Sequence, residues 1–297
     1  MNPSDYSVIS FPGLGLSFNP PRALEIGPLS IHLYGLIIAV GLMLAVIYAC
    51  KRSRQFGLTS DDLTDGVLCI VPFAILCARL YYCIFQWNSY KSEPLSILYI
   101  WEGGLAIYGG VIGAAIGIVV FAKVKKLKIG AVLDITSLGF LIGQSIGRWG
   151  NFCNREAFGA ETDSFLRMGL TNMYSNKITY YHPTFLYESL WNAAGFVLLH
   201  FLSKRRNYDG QIALGYLAWY GLGRTFIEGL RLDSLYWGNF RVSQMLAAGT
   251  CFCGVALLMF LAFRDHDPAK MQVSIFEAQL AAEDAQEAAP AEENEDA

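Results

Sequence analysis

Long apolar stretches alternate with short polar segments along most of this chain. Seven stretches of about 20 mostly apolar residues can be drawn, and each is long enough to cross the ~30 Å hydrocarbon core of a bilayer as a helix. The pattern therefore predicts an all-α, polytopic integral membrane protein with about seven transmembrane helices. The stretches cover roughly residues 29–50, 66–87, 97–122, 129–152, 184–203, 211–232 and 240–264.

The composition agrees with this pattern. Of the 297 residues, 54% are hydrophobic and only 16% are charged, whereas soluble domains carry about 25% charged residues. The net charge of −3 and the lack of a basic stripe give no indication of nucleic-acid binding. The seven cysteines lie mostly within the apolar stretches and form no metal-binding motif, so we expect small buried side chains and no metal site.

Basic residues between the stretches predict the orientation of the chain. Lysine and arginine cluster after the first, third, fifth and seventh stretches, and the opposite loops are poorer in them. The positive-inside rule therefore places the N-terminus outside and the C-terminus in the cytoplasm. We expect an outer N-terminal segment at 1–28, a membrane domain at 29–264 with an outer loop at about 153–183, and an acidic cytoplasmic tail at 265–297. Its composition predicts that the tail is either disordered or partly helical.

Four arginines lie inside the apolar stretches: Arg79, Arg148, Arg224 and Arg231. Ionisable groups are rare in such places and usually face a cavity or one another. With the predicted orientation, all four fall in the outer half of the bilayer. Arg224, Glu228 and Arg231 have the i, i+4, i+7 spacing of one helical face. Two interpretations remain open: a charge ladder that only joins helices, or a cationic cavity for an anion such as phosphate.

Two smaller features lie in the first and third stretches. His32 is either an interfacial hydrogen-bonding group or a catalytic one. Gly109, Gly113 and Gly117 recur every fourth residue, a spacing typical of close helix packing.

The segment GRWGNFCNREAFG at 147–159 resembles the signature of the prolipoprotein diacylglyceryl transferases, Gly-Arg-x-Gly-Asn-Phe-x-Asn-x-Glu-x-x-Gly, and matches it at every defined position. The resemblance extends over almost the whole chain, and a topology of seven spans with an outer N-terminus agrees with it. Further segments appear in the order of the family: IHLYGL at 31–36, ARLYY at 78–82, GGLAIYGG at 103–110, HPTFLYE at 182–188 and GRTFIEGLR at 223–231.

The resemblance implies a reaction. In this family, a diacylglyceryl group passes from phosphatidylglycerol to the thiol of a lipobox cysteine in a prolipoprotein, a thioether forms, and glycerol 1-phosphate leaves. The implied partners are these two substrates and membrane lipid, with no cofactor, metal or nucleic acid. The implied location is the bacterial cytoplasmic (inner) membrane, with the active site toward the outer face. A phosphate leaving group would explain why arginines lie within the spans.

The resemblance and the residue types together predict the site. We expect Arg148, Arg224 and Tyr108 to be catalytic. Arg148 and Asn151 would hold the phosphate of the donor lipid, and Arg224 would stabilise the leaving phosphate. Glutamates would orient these guanidinium groups. The predicted substrate-binding residues are Arg148, Asn151, Glu156, Gly159, Arg79, His32, Tyr34, Glu228 and Arg231.

Tyr108 departs from many members of the family, which have histidine at this position. Histidine is an effective general base near neutral pH, whereas tyrosine has a pKa of about 10. The group that deprotonates the acceptor thiol is therefore left open.

An alternative function is a transporter or channel for an anionic solute, which would also need a cationic cavity. Such a protein is expected to show internal repeats and broken helices near the midplane. The sequence shows no internal repeat, and its buried charges cluster on one predicted side.

Overall fold

A computed structural model of the protein describes residues 5–27, 29–100, 103–232, 236–237 and 240–288. Most of these residues are helical. Six of the described helices are long and apolar enough to cross a membrane, which confirms the predicted multi-pass membrane protein. The described α-helices are α1 (Leu33–Arg52), α2 (Ser60–Phe85), α3 (Trp87–Tyr90), α4 (Ile107–Val124), α5 (Ile129–Asn154), α6 (Thr184–Ser203), α7 (Gln211–Glu228), α8 (Val242–Ala262) and α9 (Gln272–Ala288).

Short strands accompany the helices. Four of them form an antiparallel sheet in the order β2-β1-β5-β6, and the others form the two-stranded pairs β3-β4 and β7-β8. The described strands are β1 (Tyr6–Phe11), β2 (Leu16–Phe18), β3 (Ala23–Ile26), β4 (Leu29–His32), β5 (Met168–Asn172), β6 (Ile178–Tyr181), β7 (Tyr236–Trp237) and β8 (Phe240–Arg241).

Three predicted spans differ from the helices that the structure contains. The first span begins with strand β4, and its helix starts only at Leu33. The third was expected from residue 97, but α4 starts at Ile107, because Gly103 and Gly104 adopt left-handed φ angles of 91° and 71° that interrupt a helix. The sixth forms α7, which ends at Glu228 and is not among the six helices apolar enough to be membrane-spanning candidates.

The chain divides into two compact units. The first comprises Met1–Tyr48, Thr136–Arg206 and Gln211–Asp265, and the second comprises Ala49–Ile135, Asn207–Gly210 and His266–Ala297.

In the first unit, the four-stranded sheet joins the N-terminal segment to the loop that follows α5. Strand β1 pairs with β5, so that Ile9 lies opposite Leu170, and both side chains are completely buried. Helices α6 and α7 meet through Trp191 and Trp219, whose rings stack with centroids 4.4 Å apart. Each indole N–H donates to the backbone carbonyl of the other tryptophan, over 3.0 and 2.9 Å. This pairing aligns the two helices.

In the second unit, α2 and α4 pack closely through the glycines of α4. A side chain at Gly109 would collide with the Cys77 carbonyl oxygen, and one at Gly113 with the Cys77 side chain. The expected packing role of this glycine stripe is therefore confirmed. The acidic segment is helical over α9. Its first residue, the buried Gln272, accepts a hydrogen bond from the Lys128 backbone N–H and donates from its side chain to the Gly57 carbonyl.

Candidate functional site

Glu188, near the start of α6, is the centre of the candidate site in the first unit. Its carboxylate forms ion pairs with arginines from three different segments. Arg148 of α5 binds Oε2, and Arg224 of α7 binds Oε1 over 2.8 Å. Arg231, three residues past the end of α7, approaches Oε1 at 3.5 Å. One buried carboxylate thus brings together three of the four arginines that the sequence analysis singled out.

Glu228 is the second acid of this group, which we call the arginine cluster (Arg148, Arg224, Arg231, Glu188 and Glu228). Its Oε2 lies 2.5 Å from Nη2 of Arg224, one helical turn earlier. The two carboxylate side chains are only 5% and 2% exposed, whereas Arg148, Arg224 and Arg231 are 23%, 17% and 11% exposed. The positive groups therefore form the accessible edge of the cluster, and the negative groups lie behind them.

The charges of the arginine cluster do not cancel. Three guanidinium groups against two carboxylates leave a net charge of +1. Two flanking residues add one charge of each sign. Arg241 donates to the backbone carbonyl of Glu228, and Glu156 is linked to Arg148 through the side chain of Asn151. The cluster with its flanks therefore keeps its excess positive charge, as expected for a site that binds an anion.

Arg224, Glu228 and Arg231 were expected on one face of the same helix, and this expectation is wrong for Arg231. Arg224 and Glu228 are paired at i, i+4 as predicted. Helix α7, however, ends at Glu228, and Arg231 follows a turn and forms an isolated β-bridge with Gly159. Arg231 therefore reaches Glu188 of another helix from outside the helix, and it joins the end of α7 to the signature segment.

Asn151 couples Arg148 to Glu156. Its Oδ1 accepts from Nη1 of Arg148 over 3.3 Å, and its Nδ2 donates to Oε1 of Glu156 over 2.9 Å. Asn154 also donates to the same carboxylate oxygen, over 3.3 Å. Asn151 is only 9% exposed, so its amide is largely used in holding Arg148 and Glu156 in place.

Glu156 lies between two residues with left-handed backbone, Arg155 (φ 57°) and Ala157 (φ 56°). Such φ angles are uncommon for residues other than glycine and persist where the surroundings impose them. Here the side chain of Arg155 is fixed by burial and hydrogen bonds. Its side chain is 4% exposed and donates to the carbonyls of Ser7, Cys153 and Pro20 and to Oδ1 of Asn19. Burial, and secondarily the Arg22 charge, lower the pKa of this guanidinium.

Gly159 has a packing role. A side chain there would lie 2.8 Å from both the Cβ of His182 and the carbonyl oxygen of Leu230. Its backbone N–H donates to the His182 carbonyl over 2.9 Å, and the next N–H, of Ala160, donates to Leu230 over 2.7 Å. The glycine thus allows the signature segment to fit between the start of α6 and the end of α7.

His32 and Tyr34 stand at the beginning of α1 in the same unit. His32 is exposed and is the last residue of strand β4, where it pairs with Ala23. Tyr34 packs against Gly150 of the signature, since a side chain there would lie 2.6 Å from the tyrosine ring. Its phenol also interacts electrostatically with Glu156 and Arg148. Tyr34 is therefore a neighbour of the predicted phosphate-binding residues.

Arg79 belongs to the second unit and is 3% exposed. Its Nε donates to the Ile97 carbonyl over 2.9 Å, and its Nη1 donates to those of Gly103 and Gly104 over 2.6 and 3.1 Å. Its Nη2 donates to Ser96 over 2.7 Å. A guanidinium has five N–H donors, so at most one is left for a substrate. These contacts hold the segment before α4 in place, and the predicted substrate-binding role of Arg79 stays a prediction.

Tyr108 is the second residue of α4, also in the second unit, and its side chain is half exposed. It follows the segment that Arg79 holds, and its phenol is accessible. Its predicted catalytic role stays a prediction.

Two residues of this site were not predicted from the sequence. Glu188 is the last residue of HPTFLYE, and its binding of three arginines depends on tertiary structure. Arg155 occupies a variable position of the signature, so the resemblance assigns it no role. A buried acid within a span, with more arginines than acids around it, was the available signal for Glu188.

Comparison with known proteins identifies the family. Residues 21–260 match the model of the family described as prolipoprotein diacylglyceryl transferase. A phosphatidylglycerol–prolipoprotein diacylglyceryl transferase of Listeria welshimeri is 39% identical over 267 residues, which cover 88% of this chain and 96% of the relative. Proteins of the same name from Bacillus licheniformis and Bacillus cereus are 43% and 44% identical, covering 85% and 80% of this chain and 96% and 90% of those relatives.

These matches do not support the alternative of an anion transporter or channel. They cover most of this chain and nearly all of each relative, and they include the signature segment and every member of the arginine cluster. The chain belongs to the prolipoprotein diacylglyceryl transferase family.

Proposed function

We propose that this protein transfers the diacylglyceryl group of phosphatidylglycerol to the cysteine thiol of a prolipoprotein lipobox. The sulfur forms a bond to the glyceryl carbon that carries the phosphate, and the carbon–oxygen bond to the phosphate breaks. The electron pair of that bond leaves with glycerol 1-phosphate, and the thiol proton passes to a base. The observation that carries the proposal is the arginine cluster, whose guanidinium groups are accessible while its carboxylates are buried.

The arginine cluster suits a phosphate leaving group. A guanidinium presents two parallel N–H donors that match two phosphate oxygens. Arg224 binds Glu188 through Nη1 and Glu228 through Nη2, and Arg148 binds Glu188 through Nη2 and Asn151 through Nη1. The orientation of both guanidinium groups is therefore set before substrate binds, and the second N–H of each terminal nitrogen is left for the phosphate. Donors that need no reorganisation stabilise developing charge most effectively, and in a low-dielectric site each is worth about 10²–10³ in rate.

Glu188 and Glu228 act as positioning residues in this proposal. Without them, three neighbouring guanidinium groups would repel one another and turn toward water. Asn151 has a similar role, because it holds Arg148 on one side and Glu156 on the other. It therefore acts on the phosphate mainly through Arg148.

The acceptor thiol has an ordinary pKa of about 8.5 and must lose its proton to become a good nucleophile. Tyr108 has three candidate roles: phenolate base, hydrogen-bond donor to the phosphate, or packing residue. We favour the donor role, because a neutral tyrosine donates at pH 7 without any shift of its pKa.

We propose that the protein resides in the bacterial cytoplasmic membrane, with its N-terminus outside and its C-terminus in the cytoplasm. The distribution of loop lysines and arginines supports this orientation. The arginine cluster would then open toward the outer face, where a secreted prolipoprotein presents its lipobox.

The test is transfer by the purified protein from phosphatidylglycerol vesicles to a lipobox peptide, followed by mass spectrometry. We expect the peptide to gain one diacylglyceryl mass and glycerol 1-phosphate to appear in equal amount. A peptide with serine in place of the cysteine is the control and should stay unmodified. An unmodified cysteine peptide would refute the proposed function, and equal transfer from phosphatidylethanolamine would refute the choice of donor.

A further inference from the structure

A small cavity lies between α6 and α7, and the ion pair of Glu188 and Arg224 contributes to its lining. Its volume is about 10 Å³, which is close to the smallest space that holds one water-sized group. Asn192 and Tyr220 also line the cavity. The stacked Trp191 forms part of its wall. The space therefore fits a single polar atom, such as a carbonyl oxygen.

Asn192 is the unusual residue of this cavity. It is 3% exposed, and buried amides are almost always hydrogen-bonded. Among the residues that the structure describes, however, none forms a hydrogen bond with its side chain. The polar groups of the neighbouring tryptophans are satisfied by each other. Asn192 thus offers two N–H donors and one carbonyl acceptor to whatever enters the cavity.

On α7 the lining of the cavity runs from Tyr220 to Ile227, and its two polar side chains other than the ion pair, Asn192 and Tyr220, lie one helical turn closer to the middle of their helices than Glu188 and Arg224. Asn192 follows Glu188 by four residues on α6, and Tyr220 precedes Arg224 by four residues on α7. Four residues correspond to a rise of about 6 Å. Because Glu188 and Arg224 stand near the helix ends, this displacement points from the phosphate-binding arginines toward the bilayer interior.

A diacyl phospholipid has the same order of groups along its length. The ester carbonyls lie on the acyl side of the phosphate, joined to it through the glycerol carbons, and the headgroup lies on the opposite side. An ester carbonyl accepts hydrogen bonds but cannot donate them. The Asn192 N–H groups, which have no partner within the described part of the chain, complement such an acceptor.

We propose that this cavity binds an ester carbonyl oxygen of the donor lipid, with the Asn192 amide as hydrogen-bond donor. This inference rests on the proposed function and adds a second point of attachment for the lipid. The arginines hold the phosphate, and Asn192 holds the diacylglyceryl group that is transferred. Together they orient the carbon between them toward the attacking sulfur.

The test compares two donors that differ only in the carbonyls, diester phosphatidylglycerol and its dialkyl ether analogue with chains of equal length. A neutral hydrogen bond corresponds to about a two- to tenfold difference in affinity. We expect wild-type protein to show a KM for the ether donor higher by this factor. Asn192→Leu should raise the KM for the diester donor to the ether value and leave the ether KM unchanged.

Ala194→Leu is the matched control, because it introduces the same side chain at an exposed position of α6 and should keep the wild-type preference. An unchanged preference in Asn192→Leu would overturn the proposal, and so would an equal loss with both donors, which would indicate a purely structural residue.

Phosphatidylpropanol, which lacks the hydroxyls of the headgroup, tests the other side of the lipid. If Asn192→Leu abolished discrimination against this donor instead, the cavity would bind a headgroup hydroxyl and the proposal would be wrong.

The proposed function and this inference fail in different ways. If wild-type protein modified the lipobox peptide with neither donor, the function itself would be refuted. If wild-type protein were active and Asn192→Leu kept the preference for the diester, only the carbonyl site would be refuted.

Discussion

Replacing Glu188 with glutamine tests how far one buried carboxylate organises the site. Glutamine keeps the size and one acceptor oxygen, but it removes the charge that pairs with Arg148, Arg224 and Arg231. The net charge of the arginine cluster then rises from +1 to +2, and an amide N–H₂ group faces guanidinium donors. Breaking a buried ion pair from one side costs about 3–5 kcal/mol, so we expect the free energy of unfolding to fall by this amount.

The change should be visible in a thermal unfolding experiment on the protein in detergent. For a domain of about 150–250 residues, 1 kcal/mol corresponds to roughly 2–4 °C, so Glu188→Gln should lower Tm by roughly 6–20 °C. Glu188→Asp keeps the charge on a shorter side chain and should recover part of this loss. Glu161→Gln, at an exposed position, is the control and should change stability by less than about 0.5 kcal/mol. A Glu188→Gln protein as stable as this control would refute the central role of Glu188.

Three further predictions concern other parts of the molecule. Gly159→Ala should destabilise the protein by about 1–3 kcal/mol, because the new methyl group collides with His182; an unchanged Tm would contradict the packing role. Tyr108→Phe should lower kcat about ten- to a hundredfold and Tyr108→His should retain most activity if the phenol donates a hydrogen bond; wild-type activity in Tyr108→Phe would remove this residue from the site. Gln272→Leu should lower the free energy of unfolding by about 1–3 kcal/mol, because it leaves buried backbone groups without partners; hydrogen exchange in α9 would detect the loosening, and unchanged protection would refute it.

The sequence predicted the membrane helices well because their signal is local. A long apolar run identifies a spanning helix without any knowledge of its neighbours, and six of the seven predicted stretches correspond to helices of sufficient length and apolarity. The predicted start of a helix was wrong where an apolar run, which favours a helix, contains glycines that interrupt it. The apolar third stretch begins before Gly103 and Gly104, whose left-handed backbone delays the helix to Ile107.

The strands and the ion pairs of Glu188 were beyond prediction because they depend on residues far apart in the chain. Strand β1 pairs with β5 across about 160 residues, so neither strand has its partner nearby in the sequence. The signature and the buried arginines indicated the site, but the acid that joins three of them, Glu188, could be found only from the fold. The same applies to the hydrogen bonds that Arg79 donates to backbone carbonyls of the segment before α4.

The central claim is that the guanidinium forks of the arginine cluster stabilise the leaving phosphate. Arg148→Lys tests it most directly, because lysine keeps the charge and loses the planar fork. The measurement is a single-turnover experiment with saturating phosphatidylglycerol and lipobox peptide, in which thioether and glycerol 1-phosphate are quantified together, on a variant shown to be folded by its Tm. We predict that the rate at which both products form falls by a factor of about 10²–10³. A rate within a few fold of wild type would contradict the claim and reduce Arg148 to a countercharge for Glu188.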